Sequence, residues 1–327
     1  MNLNLTKMMF LILLIFSTIF SISSLNWISM WMGLEMNMFT FIPILNFKMS
    51  NYSIESTMKY FMIQAFTSIM LMIFLINKSM FFMMNNNLLI IMPLLMKLSL
   101  MPFHIWLPSM IEGLNWLSCF LMFTWQKITP MILISYLNFN KNMTFMIIMI
   151  MMNTIFGMNQ NSLRKILAMS SINNSSWMLF MILMHENIWI NYFIIYSILN
   201  LLIINIFNKF HINYINQLKF FNLNFFFKLN LLMLIFSIMG LPPMIGFFMK
   251  WMLIKMLIYN KMFLILIMLI NLTIINLYFY IKMTYFILFN FNLFNKWYLN
   301  FKKMNKFNYL MFFNFFSLFT NYFNIYY

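Results

Sequence analysis

The sequence predicts an all-α, polytopic membrane protein of about eleven transmembrane helices. Of its 327 residues, 64% are hydrophobic and only 7% are charged. Globular domains carry about 25% charged residues, so this chain could not cover a water-facing surface. The apolar residues also fall into runs close to the roughly 20 residues that a helix needs to cross a bilayer. Composition and run length together therefore set the fold class.

The apolar runs divide the chain into spanning helices joined by short polar loops. The loop before the third helix holds Lys48, Glu55 and Lys59. The predicted spans are residues 8–24, 27–45, 60–76, 88–112, 116–137, 143–158, 163–184, 188–207, 229–258, 262–289 and 307–325.

Two of these spans, the fourth and the ninth, contain prolines that must interrupt a helix. The fourth breaks around Pro102, five residues after Lys97, and the ninth breaks at Pro242–Pro243, shortly before Lys250. Proline in a helix interior costs about 3 kcal/mol. A charge in lipid costs from about 3 to more than 10 kcal/mol. Two such expensive features side by side indicate function.

The breaks also predict an internal repeat within a single transmembrane domain, 1–327. If residues 1–140 and 141–290 each hold five helices, each break falls in the fourth helix of its unit, and residues 291–327 add a C-terminal helix. An odd number of helices gives the two units opposite orientations. Inverted repeats with interrupted helices in corresponding positions are typical of transporters, whose ion sites lie near the midplane.

Basic residues predict the orientation in the membrane. On the side of the amino terminus lie Lys7, Lys48, Lys59, Arg164, Lys165, Lys209, Lys219, Lys228, Lys296, Lys302, Lys303 and Lys306. On the opposite side lie Lys78, Lys141 and Lys261. This asymmetry predicts an inner (matrix) amino terminus and an outer carboxy terminus. The net charge of +16 is thus explained by topology and indicates no nucleic-acid binding.

The first candidate site pairs Glu35, the one acid near a helix centre, with Lys97. The pair could be a structural ion pair or a proton-linked pair, because an isolated carboxylate in a membrane must be neutralised or find a cation. His104 follows the first break, where it could satisfy freed backbone groups or relay protons.

Lys127, in the middle of helix five, and Lys250, after the second break, are the other candidates. Burial disfavours a charged ammonium, so a deep lysine is a feasible proton relay. Snorkelling to the interface is the alternative, and it is favoured for Lys255 and Lys282. Ser and Asn residues of helix seven could line a wet channel or hold helices together. They are Ser170, Ser171, Asn173, Asn174, Ser175 and Ser176.

Several kinds of chemistry are excluded by residues that the chain lacks. It contains no Asp, no glycine-rich nucleotide fingerprint, and a single cysteine, Cys119, expected to be a small buried hydrophobe. Neither redox chemistry nor a cysteine-based cluster is therefore expected in this chain alone. The abundance of Ile, Phe, Asn and Lys, with 42 Met and no Val, is typical of an A/T-biased organelle genome, most simply an animal mitochondrion.

Six motifs resemble a known family. They lie at residues 33–37 (GLEMN), 97–108 (KLSLMPFHIWLP), 112–116 (EGLNW), 125–130 (WQKITP), 163–172 (LRKILAMSSI) and 240–247 (GLPPMIGF). In this order they closely resemble the subunit 2 family of mitochondrial NADH:ubiquinone oxidoreductase (respiratory complex I), in an arthropod-like form. After about Lys255 no motif matches, and nothing is carried over there.

The resemblance implies an antiporter-like subunit of the membrane arm, in the mitochondrial inner membrane. It implies that Glu35 and Lys97 form the family's glutamate–lysine pair, Lys127 its central lysine, and Lys250 the ionisable residue of the second broken helix. Ubiquinone, NADH, FMN and iron–sulfur clusters are expected in partner subunits, with no cofactor bound here. Other membrane-arm and accessory subunits and cardiolipin are the expected partners. A structural subunit without a proton path, and a free cation/proton antiporter subunit, are the alternatives.

Overall fold

A computed structural model describes residues 5–47, 50–80, 87–137, 160–184, 187–220, 225–242 and 244–288. The helices predicted at 143–158 and 307–325, and the C-terminal segment 291–327, lie outside the described residues. So do Lys48, Lys141 and the four lysines beyond residue 288. Everything stated below concerns the described part of the chain.

The described chain is helical throughout. In order, the α-helices are α1 (Leu5–Ser23), α2 (Trp27–Leu45), α3 (Asn51–Met80), α4 (Asn87–Lys97), α5 (Trp106–Ile111), α6 (Trp116–Phe123), α7 (Trp125–Ser135), α8 (Leu163–Leu183), α9 (Ile188–Phe210), α10 (Phe225–Met239), α11 (Ile245–Tyr259) and α12 (Phe263–Leu288). A 3₁₀ segment, Ile215–Phe220, follows α9.

Seven helical segments among the described residues are long and apolar enough to cross a bilayer. They are Leu5–Ser23, Trp27–Leu45, Asn51–Lys78, Trp116–Ser135, Leu163–Leu183, Ile188–Phe210 and Phe263–Leu288. The chain is therefore an all-helical, multi-pass membrane protein, as its composition predicted. Leu163–Leu183, the helix rich in Ser and Asn, is the most enclosed of these spans, with 94% of its apolar 18-residue window buried.

The chain divides into two compact units, and the first comprises Met1–Asn153 and Leu167–Trp189. Here α1 packs closely on α2, because Gly33 lies directly against Ser21. A Cβ added at Gly33 would lie only 2.6 Å from the Ser21 Cβ. Helix α3 packs against α2, α4 and α5, and Cys119 is fully buried, as predicted. The interrupted helix α4–α5 thus lies within the packed interior of this unit.

The second unit comprises Thr154–Ile166 and Ile190–Tyr327. Its described helices α10, α11 and α12 pack on one another, and α12 also packs on the 3₁₀ segment. At one end, Arg164 donates a hydrogen bond to Asn213 Oδ1 at 2.9 Å, and Lys282 donates to Asn161 Oδ1 at 2.8 Å. The start of α8, the residues after α9 and the last turns of α12 therefore meet at the same end of the unit.

One predicted helix boundary is wrong, and one predicted span contains an interruption that its sequence did not indicate. The third helix begins at Asn51 rather than residue 60, so Glu55 and Lys59 are helical and form an i,i+4 salt bridge of 2.6 Å. The apolar run marks only the part of this helix that lies in lipid, and the polar first turns extend beyond it. The predicted fifth helix is interrupted at Thr124, whose hydroxyl donates to the Phe120 carbonyl at 2.8 Å. Such a bond to the residue four positions earlier bends helices.

Candidate functional site

The first helix break ends α4 directly after Lys97. The Leu100 N–H donates to the Leu95 carbonyl and the Ser99 N–H donates to the Met96 carbonyl, both at 3.0 Å, while Ser99 has φ +57°. This pair of bonds around a left-handed residue is a Schellman motif. Lys97 thus lies in the last turn of a half-helix, where the negative end of the helix dipole favours a cation. Its side chain is only 8% exposed.

Glu35 lies on α2 and is half-buried. Its carboxylate acts electrostatically on the Lys97 ammonium, but the described residues include no salt bridge between the two groups within 4.0 Å. The expected glutamate–lysine pair is therefore an interaction across a gap. Direct contact would require one of the side chains to move.

Lys127 lies on α7 and is 3% exposed, so it does not snorkel in this structure. Its Nζ donates to the Ser171 carbonyl at 2.7 Å and contacts Ser175 Oγ at 3.4 Å, both on α8. The Ser171 and Ser175 hydroxyls themselves donate to carbonyls three residues earlier on α8. The polar residues of α8 therefore satisfy a lysine of another helix as well as their own backbone.

A cavity in the first unit is lined by both Lys97 and Lys127. It leaves about 20 Å³ for the centres of water molecules. A cavity needs about 10–15 Å³ of such space to hold one water molecule, so this cavity has room for one. Further polar residues of its wall are Asn37, Tyr60, Gln64, Ser99, Gln126 and Thr129.

One wall of this cavity is held by a hydrogen-bonded trio from three helices. The Gln126 Nε2 donates to Asn37 Oδ1 at 3.1 Å, and the Tyr60 hydroxyl donates to Gln126 Oε1 at 3.4 Å. Both ends of the Gln126 amide are thus engaged, which fixes its orientation next to Lys127. Tyr60 in turn packs edge-on against Phe41, with ring centroids 5.4 Å apart.

Lys250 lies on α11, in the second unit, and is 7% exposed. Its Nζ donates to the Met239 carbonyl at 2.6 Å, at the end of α10. Gly240, with φ +73°, ends α10 in the same Schellman pattern: Leu241 N–H donates to Phe236 and Gly240 N–H to Ser237. Lys250 therefore binds the carbonyl end of a half-helix, where the dipole is negative.

His104 lies in the first break and is 4% exposed, and its carbonyl accepts a hydrogen bond from the Leu107 N–H at 3.2 Å. Its role as a relay stays a prediction. Lys255 is exposed, as snorkelling requires, whereas Lys282 is half-buried and donates to Asn161. The Lys255 ammonium lies 3.6 Å from the centroid of the Trp251 ring.

The structure brings Lys97 and Lys127 to one cavity and leaves Glu35 at a distance from Lys97. Sequence reasoning missed the trio of Asn37, Tyr60 and Gln126. A signal for it existed, because an amide pair at Asn37 and Gln126 inside apolar spans needs partners. In the described ranges no group of three or more His, Cys, Asp or Glu residues could hold a metal ion.

Comparison with known proteins gives the family. Residues 24–276 match the NADH:quinone oxidoreductase/Mrp antiporter transmembrane family. The chain is 41% identical over 289 residues to NADH-ubiquinone oxidoreductase chain 2 of Anopheles gambiae, covering 84% of each chain. It is 42% identical over 304 residues to the same protein of Aedes aegypti, covering 88% of this chain and 87% of the relative.

The fold has a solved counterpart. The chain superimposes on a chain of respiratory complex I from Thermus thermophilus with a TM-score of 0.74 and 15% identity, covering 87% of this chain and 71% of that one. At this identity the match shows the fold alone, which is that of the antiporter-like subunits. The chain belongs to the chain 2 family of NADH-ubiquinone oxidoreductases, within the NADH:quinone oxidoreductase/Mrp antiporter transmembrane family.

Proposed function

We propose that the chain translocates protons through Glu35, Lys97, Lys127 and Lys250, driven by quinone reduction elsewhere in the complex. As a member of the chain 2 family, it is an antiporter-like membrane subunit of NADH:ubiquinone oxidoreductase. Proton loading begins with a change in the Glu35–Lys97 interaction, and this change then passes to Lys127. Lys250 carries the last step, after which one proton leaves on the outer side.

The observation that supports this proposal best is the kind of hydrogen-bond partner that the buried lysines have. Lys127 and Lys250 each donate a hydrogen bond to a backbone carbonyl, and Lys127 has no salt bridge to an acid among the described residues. A buried ion pair binds its proton firmly, because losing it leaves an uncompensated carboxylate. A carbonyl accepts a hydrogen bond from an ammonium and from a neutral amine alike. Both protonation states of these lysines therefore keep a partner, which suits groups that exchange a proton.

The helix breaks support two inverted five-helix repeats, residues 1–140 and 141–290, with a C-terminal helix at 291–327. In both breaks the preceding half-helix ends in a Schellman motif. The motif is formed by Ser99-Leu100 in the first break and by Gly240-Leu241 in the second. The same local design in both breaks is what a duplicated unit would retain. His104, four residues after Leu100 in the first break, is assigned as a further proton relay.

The basic residues support an orientation in the mitochondrial inner membrane with the amino terminus in the matrix and the carboxy terminus in the intermembrane space. Arg164 and Lys282 meet at one end of the second unit, on the side that the lysine count assigns to the matrix. Cardiolipin, an anionic lipid, suits such a basic end. The other partners are the remaining membrane-arm and accessory subunits, which also hold NADH, FMN, the iron–sulfur clusters and ubiquinone.

The test is Lys127→Met in the assembled complex, with proton translocation per NADH oxidised as the readout. We expect translocation coupled to this chain to be lost while the complex still assembles, because Met keeps the length and apolar contacts of the side chain. Lys255→Met, which removes an exposed lysine, is the control and should leave the stoichiometry unchanged. An unchanged stoichiometry for Lys127→Met would instead support a purely structural subunit.

A native gel of detergent-solubilised mitochondria precedes this test. The chain should comigrate with the large band that stains for NADH dehydrogenase activity. Absence from that band would favour a free cation/proton antiporter subunit with the same fold.

A further inference from the structure

Two polar atoms in the wall of the Lys97–Lys127 cavity stand apart from the hydrogen-bond network. The Trp106 Nε1 and the Thr129 Oγ1 are both buried and have no hydrogen-bond partner among the described residues. Trp106 is 8% exposed and Thr129 is 1% exposed, and both side chains line the cavity. Buried polar groups in native proteins nearly always have a partner, from protein or from ordered water.

Thr129 differs from the other buried threonines of the described helices. Thr18, Thr57 and Thr67 each donate to the carbonyl three residues earlier, and Thr124 donates to the one four residues earlier. In lipid this internal bond is the ordinary way to satisfy a hydroxyl. The Thr129 hydroxyl does not form this bond to its own helix. It belongs to a residue in the wall of a cavity with room for about one water molecule.

We propose that Trp106 and Thr129 bind a water molecule in this cavity, and that this water is the proton link between Lys97 and Lys127. The inference rests on the proposed function, whose lysines it connects. The indole N–H can only donate, so it occupies one lone pair of the water oxygen permanently. The Thr129 hydroxyl accepts one hydrogen bond from the water. One lone pair and one hydrogen remain, one for each lysine.

The transfer balances without another reactant. The Lys97 ammonium donates to the free lone pair, its Nζ–H bond breaks and a new O–H bond forms on the water. The O–H bond directed at Lys127 breaks at the same time, and its proton forms a new Nζ–H bond on the neutral Lys127 amine. The water is regenerated: it keeps the hydrogen directed at Thr129 and carries the former Lys97 proton in place of the one given to Lys127. Trp106 and Thr129 are positioning residues in this step, because neither gains nor loses a proton.

The trio of Asn37, Tyr60 and Gln126 has a separate part in this arrangement. Each end of the Gln126 amide makes one hydrogen bond to protein, and these bonds hold its orientation. The trio keeps the wall beside Lys127 in place and thereby keeps the cavity at the size of one water.

The first experiment compares Thr129→Val with Thr129→Ser in the assembled complex. Valine has the shape of threonine without the hydroxyl, whereas serine keeps it. We expect Thr129→Val to slow coupled proton translocation by roughly tenfold, the upper end for one lost hydrogen bond. Thr129→Ser should restore the rate, which a role in packing alone would not explain. Thr67→Val is the matched control, because that buried hydroxyl is bonded to its own helix and lies outside the cavity wall.

The second experiment applies the same logic to the indole. Trp106→Phe should also slow translocation, whereas Trp31→Phe should not, because the Trp31 Nε1 donates to the Ser68 carbonyl away from the cavity. A high-resolution map of the complex should show a water within about 3.2 Å of both Trp106 Nε1 and Thr129 Oγ1.

The outcomes separate this inference from the proposed function. Normal translocation in Thr129→Val, or a map with no water at that position, would overturn the water link. If Lys127→Met abolishes translocation in the same assay while Thr129→Val does not, only the water link fails. If Lys127→Met also pumps normally, the proposed function itself fails.

Discussion

Replacing Gly240 by alanine tests how tightly the second break is built around Lys250. A Cβ at Gly240 would lie 2.8 Å from the Lys250 Nζ and 2.9 Å from its Cε. The residue also has φ +73°, which side chains other than glycine adopt at a cost. Two separate penalties therefore fall on one substitution.

The size of each penalty follows from the structure. The left-handed backbone conformation costs an alanine about 1–2 kcal/mol. The Lys250 head is the end of a flexible chain, so it would move rather than clash, but it would lose its 2.6 Å hydrogen bond to the Met239 carbonyl. A hydrogen bond to a charged group contributes about 1.5–3 kcal/mol. The sum is roughly 2.5–5 kcal/mol, which changes an equilibrium by at least about 60-fold.

A double-mutant cycle separates the two terms. The readout is the temperature at which half of the chain leaves the complex band on a native gel, which needs no pumping activity. Gly240→Ala should lower this temperature clearly in the wild-type background. In a Lys250→Ala background it should lower it much less, because only the backbone term of about 1–2 kcal/mol remains.

Equal effects in both backgrounds would refute the reasoning. They would mean that the position of the Lys250 ammonium does not depend on the absence of a Cβ at Gly240. Leu241→Ala is the control. It changes the neighbouring residue without requiring a left-handed backbone or meeting Lys250.

Two further predictions use the same heat-resistance readout. Gly33→Ala should lower the dissociation temperature by the equivalent of about 1–3 kcal/mol, because the new Cβ would lie 2.6 Å from the Ser21 Cβ and force α1 and α2 apart; a wild-type temperature would show that the two helices can separate freely. Glu55→Gln should change neither heat resistance nor pumping, since exposed i,i+4 salt bridges contribute only about 0.3–0.5 kcal/mol. A large loss in that variant would mean that Glu55 has a partner in the assembled complex.

Several features of the candidate site were predictable because each depends on the chain locally. A lysine in the centre of an apolar run must be buried, and Lys97, Lys127 and Lys250 are all less than 9% exposed. The two predicted helix interruptions occur after Lys97 and after Met239. A proline alone does not fix such an interruption, because Pro43, Pro93 and Pro130 lie inside helices. The pattern was less informative at helix ends, where polar turns continue α3 outward beyond its apolar run.

The sequence by itself determined the class of protein, the depth of its lysines and its two broken helices, because hydropathy and helix-breaking act over a few adjacent residues. Only the tertiary structure decided what those lysines contact. The partner of Lys127 is a carbonyl on α8, 44 residues further along the chain, and Gln126 bonds to Asn37, 89 residues earlier. A carbonyl has no signature in a sequence, since every residue carries one, and its availability depends on how helices pack. For the same reason the gap between Glu35 and Lys97, and the cavity beside Lys97, became visible only in the folded chain.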